Sequence, residues 1–578
     1  MRGLFTILAS ALFNLNTALG QLSLPTPPLL PPPASNGTIT SSGTPNPQWS
    51  TLLGNLIYFY EAQRSGRLPS DNRVGWRNNS ALEDGSDVNL DLTGGYYDAG
   101  DYIKCTFPLS LTITSICWGA TDFGKGYDDS NQTAYLDSML RWGLDWLIKA
   151  HPSNDTLYVQ VADANLDNNY WGGDQDIPTP RPSFQINDTS PGTDVAAGVS
   201  AAFSACSNLY ANRGFGGVYQ SPASLTNTTY SEILLSHAQS LFNFAVNASG
   251  GQVVYQNSVP AVTESYASSS YGDELTLAAL FLAWATNSTT LYEQAENYYS
   301  SFGLSGQNGV FNWDSKTPGL AVLFAQIAQS SSSIGSNASG WQGEAERYFD
   351  GVLNSAGRTF ETRGGLLYYH GDSDSASLNP ALNAAMLMTR YAPMATSSEK
   401  TTSYMNYAQI QLDYALGKNP MSAPYVVGSN PNSPSNPHSA MASGGSDISN
   451  IDSSPEVEAY VLYGAVVGGP DRHDNFYDIR SDWVQTEVAL DYNAPMLTLA
   501  AMHVMNDTND PYFTALQEGA YVRPQGGPCD AAIRDGCGSS NGLSKGATIA
   551  IAVCITVVGL ALVSLAAYYF WVVKKRRS

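Results

Sequence analysis

Between Gln48 and Asn506 one arrangement keeps recurring: an apolar stripe at helical spacing, then a long polar loop. Leu52, Leu53, Leu56, Ile57 and Tyr60 open the series. Intervals of three and four residues put such side chains on one face of a helix. Leu136, Leu140, Leu144 and Leu147 repeat the pattern within 133–150, as do Val195, Val199, Phe203, Cys206 and Tyr210 within 194–210. Further segments start near Glu232, Asp273, Leu291, Thr317, Trp341, Leu378, Thr401, Pro455 and Pro495. Asn493 and Pro495 read as a helix start, with a capping side chain and a preset φ. Strand signals are weak and scattered. About a dozen helices with irregular connections suit helix pairs stacked in a ring, with loops gathered at one end as a cleft.

The flanks read differently. Residues 1–20 combine Arg2, an apolar run from Leu4 to Phe13 and small residues before Gln21, the pattern of a cleaved signal peptide. Residues 21–47 are rich in Pro, Ser and Thr and form a stiff linker without its own core. After the helical region of 48–506, the stretch 507–545 reads as a stalk. Residues 546–573 are almost wholly apolar and long enough to span a bilayer, and Lys574, Lys575, Arg576 and Arg577 follow as a basic tail, 574–578. A lipid-anchor signal is the rival reading, but such tails lack a basic end. The expectation is a type I plasma-membrane protein, monomeric, with its bulk outside.

Ten Asn-x-Ser/Thr sequons, among them Asn131, Asn227, Asn287, Asn337 and Asn506, fit a secreted glycoprotein. Six cysteines occur. Cys529 and Cys537 flank a short loop and suggest a local disulfide, Cys554 lies within the apolar run, and the pairing of Cys105, Cys117 and Cys206 stays open. No Cys/His spacing resembles a zinc site. A net charge of −23 argues against a nucleic-acid partner, because an acidic surface repels phosphates.

Three stretches carry chemistry. The first is Gly94 to Lys104, where Asp98 and Asp101 stand three apart, with Tyr96, Tyr97 and Tyr102 around them. Gly100 removes bulk and permits a turn. Two such acids can share one concave site, and like charges held close raise one pKa. An exposed turn is the plainer reading of Asp and Gly together. The second is the Pro/Asn loop from Gly417 to His438. The third runs from Phe476 to Pro495, with Glu487 among apolar and small neighbours, surroundings that favour a protonated carboxyl.

Together these stretches resemble glycoside hydrolase family 9, over roughly residues 48–505. The last fits that family's signature through Phe476, Asp478, Trp483, Glu487, Ala489, Asn493 and Ala494. Tyr271 to Leu275 and Phe311 to Asp314 also look like family core elements. The resemblance implies an all-α, (α/α)6 barrel and inverting hydrolysis of a β-1,4-glucan. Asp101 would be the general base, Asp98 would hold the water, Glu487 would be the general acid, and His438 and Asp478 would support them. No cofactor is needed for that chemistry, although a structural calcium is compatible with the family. The chain departs from the pattern at three places. Ala440 stands where an Arg follows the histidine, Asn168 follows Asp167 in place of a His, and Asn379-Pro380 replaces an Arg-Tyr pair. Those losses imply altered sugar recognition, with an Arg at position 440 expected to restore binding. Another β-linked wall glucan as substrate, or a non-catalytic carbohydrate-binding role, are the alternatives. Retention of all three acids disfavours the last.

Overall fold

The computed structural model describes residues 20–37, 40–219, 221–534 and 537. Residues 1–19 of the signal-like segment and the apolar run at 546–573 lie outside the described residues. Among those described, no helix is long and apolar enough to cross a membrane.

Twelve long helices build the first unit, which ends at Gln525. Numbered in chain order, they are α1 (Pro47–Ala62), α2 (Thr106–Asp122), α3 (Thr133–Ala150), α4 (Thr193–Tyr210), α5 (Thr228–Asn247), α6 (Gly272–Thr286), α7 (Thr289–Ser301), α8 (Thr317–Ser330), α9 (Ala338–Leu353), α10 (Leu378–Tyr391), α11 (Ser398–Ala415) and α12 (Leu490–Asn506). The even-numbered helices touch one another in sequence order, and α12 returns to α2, which closes an inner ring. The odd-numbered helices pack outside: α1 on α12, α5 on α4, α7 on α6, α9 on α8 and α11 on α10. This is an (α/α)6 barrel, as expected.

Inner and outer helices differ in pattern. Helix α3 buries one face and leaves the other half-buried, whereas every residue of α2 is buried. A helix apolar on one stripe belongs at the surface, and one covered on all sides carries no stripe. That is why no stripe marks Thr106–Asp122 in the sequence, although it is the ring's first inner helix. Conversely, the spacing near Pro455 is not helical. That segment is a loop in which Val457 is 76 % exposed.

Helix α12 begins at Leu490, ahead of the expected start, so Pro495 sits inside it. A proline has no N–H to give the carbonyl four residues back, here that of Asp491. Asn379 Nδ2 donates to that carbonyl instead, at 3.1 Å. Asn493 is not a cap. Its Oδ1 accepts from Val466 N at 2.8 Å and its Nδ2 donates to Gly464 O at 2.8 Å.

Small sheets decorate the barrel. Strands β1 (Lys104–Cys105), β2 (Thr156–Val161) and β3 (Ser183–Asn187) form one antiparallel sheet, and β4 (Thr359–Glu361) pairs with β5 (Leu367–Tyr369). A disulfide joins Cys117 on α2 to Cys206 on α4, leaving Cys105 as a buried free thiol. The Pro-rich segment lies along the barrel: Leu22 N donates to Asp137 Oδ2 at 2.7 Å, Leu29 N to Tyr135 Oη at 2.9 Å and Ser35 N to Ser429 O at 3.1 Å. Past α12 the chain also stays on the barrel. Trp49 Nε1 donates to Asn509 O at 2.9 Å, Asn430 Nδ2 to Phe513 O at 3.0 Å and Tyr521 Oη to Phe476 O at 2.7 Å. Residues 507–525 are therefore part of the globular unit and not of a stalk. The second unit starts at Gly526, and its described part contains the expected Cys529–Cys537 disulfide.

Candidate active site

All six inner helices run in one direction. Each is entered from the end where Asp98, Asp101 and Glu487 lie and leaves toward the opposite, closed end. Six helix N-termini thus converge on the acids, and each end favours negative charge by about 0.3–1 kcal/mol in the exposed limit.

The Asp98–Asp101 turn is held from three sides. Gln63, just past α1, donates from Nε2 to Ala99 O at 2.6 Å. Leu490 N, at the start of α12, donates to Asp98 O at 3.1 Å, and Ala440 N donates to Gly100 O at 2.7 Å. A Cβ on Gly100 would lie 2.1 Å from His438 O, so this glycine serves a close approach between loops. Left-handed backbone occurs earlier in the stretch, at Gly94 and Gly95, with φ of 87° and 70°. Tyr96, Tyr97 and Tyr102 do not wall the cleft. They are buried behind the turn, their hydroxyls spent on Met139 O, Ser80 Oγ and Gly172 O.

Five carboxyls gather here. Asp98 is buried and accepts the hydroxyl of Tyr266, and burial still pushes its pKa up to about 8. Asp101 is pushed well above the carboxylate range by burial and then by Asp167, Glu487 and Asp98, and its Oδ1 is buried without a partner. Asp167 lies within hydrogen-bonding reach of Asp101 and also accepts from Tyr102 N at 3.1 Å. Burial raises the pKa of both carboxyls. Glu487 is half-exposed, and burial first, then Asp98 and Asp491, raise it to about 8. Asp491, one turn further along α12, is raised by burial to about 7.

The remaining expected residues act one step back. His438 N donates to Thr486 O at 2.8 Å, which sets His438 beside Glu487 in a parallel bridge. Its Nδ1 lies 2.7 Å from Arg480 O, so that nitrogen carries the proton, and burial lowers the ring's pKa. Asp478 does not meet the acids. It accepts from Asn436 N at 3.0 Å and from Ser435 Oγ at 2.7 Å, and so fixes the loop leading into His438.

Tyr266, Asp167 and Asp491 were not foreseen as site residues. Tyr266 ends a four-residue helix, and its ring meets Trp313 edge-on with centroids 4.9 Å apart. Nothing local to Glu264-Ser265-Tyr266 signals a role. Asp491 stood inside the quoted motif, and its spacing of four from Glu487 on the way into a helix was the available signal. None of the altered positions faces the cleft with a charge. Ala440 is fully buried with Met441, Trp171 and Tyr102, Asn379 is spent on α12, and Asn168 is exposed and neutral.

A ring of paired helices with opposed carboxyls at its open end defines a hydrolase of the acid–base type. Residues 49–500 match the model of glycosyl hydrolase family 9, and the chain belongs to that family. Among similar proteins, Endoglucanase 15 of Arabidopsis thaliana is 35 % identical over 485 residues, 79 % of this chain and 93 % of that one. Endoglucanase A of Bacillus pumilus is 34 % identical over 447 residues, covering 77 % of this chain and 64 % of the other. The solved endoglucanase of the termite Nasutitermes takasagoensis, 37 % identical, superposes with a TM-score of 0.70 over 79 % of this chain and 98 % of that structure.

Proposed function

We propose that this glycoside hydrolase is an endo-β-1,4-glucanase that cleaves internal bonds with inversion, as the names of its relatives suggest. The observation that carries the reading is the meeting of two carboxyl types in one pocket. Glu487 is open to the cleft and holds its proton to about pH 8. Asp101 lies at the same site beside Asp167, with its Oδ1 buried and without a partner. An acid and a base poised apart is what glycosidic hydrolysis requires.

In this reading Glu487 protonates the leaving oxygen. Asp101, in its ionised form, takes a proton from water on the opposite sugar face. Asp98, oriented by Tyr266, holds that water. The inverting route needs carboxyls about 6.5–9.5 Å apart, room for one water molecule. Trp313 and Trp483, the latter 38 % exposed, supply aromatic faces for sugar rings. Without an Arg at positions 379 or 440, subsite binding rests on neutral groups, which supports amorphous or mixed-linkage glucans over crystalline cellulose.

A structural calcium follows only from the family. Among the described residues no group of three or more His, Cys, Asp or Glu is arranged to hold a metal, so these residues offer no carboxylate cage and no step is routed through one. Entry into the secretory pathway and a C-terminal membrane anchor belong to the same proposal, on the strength of residues 1–20 and 546–573.

Reducing-sugar release across a panel of glucans tests the activity, with product anomers followed by NMR. Initial α product from a β-linked glucan is the expected outcome. Initial β product overturns inversion, and no release from any glucan overturns the enzyme reading.

A further inference from the structure

The common direction of the inner helices also sorts the sequons. Loops that follow an inner helix lie at the closed end, away from the acids. Five sequon asparagines fall there: Asn131, Asn227, Asn287, Asn337 and Asn506. They occur in turn around the ring, at the passages from α2 to α3, α4 to α5, α6 to α7, α8 to α9 and at the end of α12.

Four of the five share access to solvent. Asn131, Asn287, Asn337 and Asn506 are exposed. The first three hold left-handed backbone, with φ of 56°, 53° and 55°, which asparagine tolerates better than other branched or bulky residues at loop tips. Asn287 is the C-cap of α6, its backbone N–H bonding Ala283 O, and Asn337 is the N-cap of α9, yet neither spends its side-chain Nδ2 on the helix. The one side-chain bond at Asn287 is accepted by Oδ1, from Arg213 at 2.6 Å. Asn227 differs: it is half-buried, and its Oδ1 caps α5 by accepting from Tyr230 N at 3.0 Å.

We infer that Asn131, Asn287, Asn337 and Asn506 carry N-linked glycans that form a collar around the closed end of the barrel, and that Asn227 stays unmodified. The inference rests on the secretory reading above. The donor is a lipid-diphosphate-linked oligosaccharide. A bond forms from its anomeric carbon to Asn Nδ2, which gives up one proton, while the bond to the lipid diphosphate breaks and the diphosphate leaves. One N–H remains on each amide, and at these four sites no hydrogen bond from Nδ2 has to be given up. The collar covers polar loops with hydrated sugar and leaves the acid-bearing end open to a polymer chain.

Intact-glycopeptide mass spectrometry of the full-length protein from a eukaryotic host, with its N-terminal peptide sequenced in the same run, tests this. Glycan on most molecules at each of the four sites, with Asn227 bare on most, is expected. Trimming the glycans with an endoglycosidase should leave kcat/KM on a soluble glucan within about twofold, because the collar is a barrel's length from the acids. Any of the four bare on most molecules, or Asn227 filled on most, overturns the collar. A tenfold loss of kcat/KM on trimming overturns its placement away from the cleft. An N-terminus near Gln21 with bare sequons sinks the collar alone, whereas an intact Met1 with bare sequons sinks the secretory reading with it.

Discussion

Glu487 illustrates how a buried carboxyl costs stability. Its proton is retained because ionising a carboxyl in this pocket is unfavourable, not because a partner binds the neutral form. Glu487→Gln keeps the shape and removes the transferable proton. Hydrolysis of natural glucans should fall about 10²–10⁴-fold, with a smaller loss on substrates whose leaving group needs no protonation. Equal losses on both would argue against the acid role. Tyr266→Phe tests the water-holding arm. Without the phenol, Asp98 loses the one hydrogen bond that favours its charge, so its pKa rises further. The acidic limb of the kcat/KM profile should move to higher pH, and kcat should drop by about one to two orders of magnitude, the worth of a hydrogen bond to a charged group. An unmoved limb would leave Tyr266 a packing role only. Ala440→Arg is a third case, in which the structure reverses what the family pattern suggests. The site is filled by Met441 and Trp171, so the larger side chain overpacks it. A lower Tm with no gain in cello-oligomer affinity by calorimetry is expected.

Elements depend on one another through single residues. Helix α12 tolerates Pro495 because Asn379 on α10 supplies the missing donor, so a residue that departs from the family pattern now repairs the backbone behind Glu487. The disulfide between α2 and α4 closes a loop of sequence separation 89 inside the ring. In the chain-entropy view a link of that span contributes about 4–5 kcal/mol, and less where the unfolded chain keeps structure. Cys117→Ser should therefore lower the denaturant midpoint markedly with little effect on kcat, since Cys117 is remote from the acids. An unchanged midpoint in oxidised protein would show that the bridge does not form.

At the scale of the whole molecule, the acid cluster ties stability to pH. Asp98, Glu487 and Asp491 have folded-state values of about 8, 8 and 7. In the unfolded chain such carboxyls ionise near about 4. Between those limits the folded state holds more protons, so stability falls as pH rises from about 4 to about 8. Wild type and Glu487→Gln should have similar Tm at pH 4, and the variant should be the more stable at pH 8 by differential scanning calorimetry. The same barrel sets where the chain can be cut. Truncation after Gln525 should leave a folded, active enzyme. Truncation after Asn506 removes the acceptors of Trp49 and Asn430 and should give a chain that unfolds earlier in urea.

Much of this was legible before any coordinates. The spacing of Leu136, Leu140, Leu144 and Leu147 marked an outer helix, because a half-buried helix writes its burial into the sequence. The motif residues Asp98, Asp101 and Glu487 announced an acid site, because catalysis restricts residue type at fixed local spacing. Helix α2 left no such trace: buried on every side, it has no stripe, and its Thr- and Ser-rich composition passes for a loop. Tyr266 and Asp167 were hidden for a different reason. Each meets the acids from a short helix distant in sequence, and only the closing of the ring brings them within reach. The position of Pro495 was misread because a local rule assigns proline to a helix start. The tertiary structure overrode it with a single donor, Asn379, more than a hundred residues away. Local sequence determined the outer helices and the acids that gather at the site. Which groups tune those acids was decided by the fold, since burial and charge proximity exist only once the chain is packed.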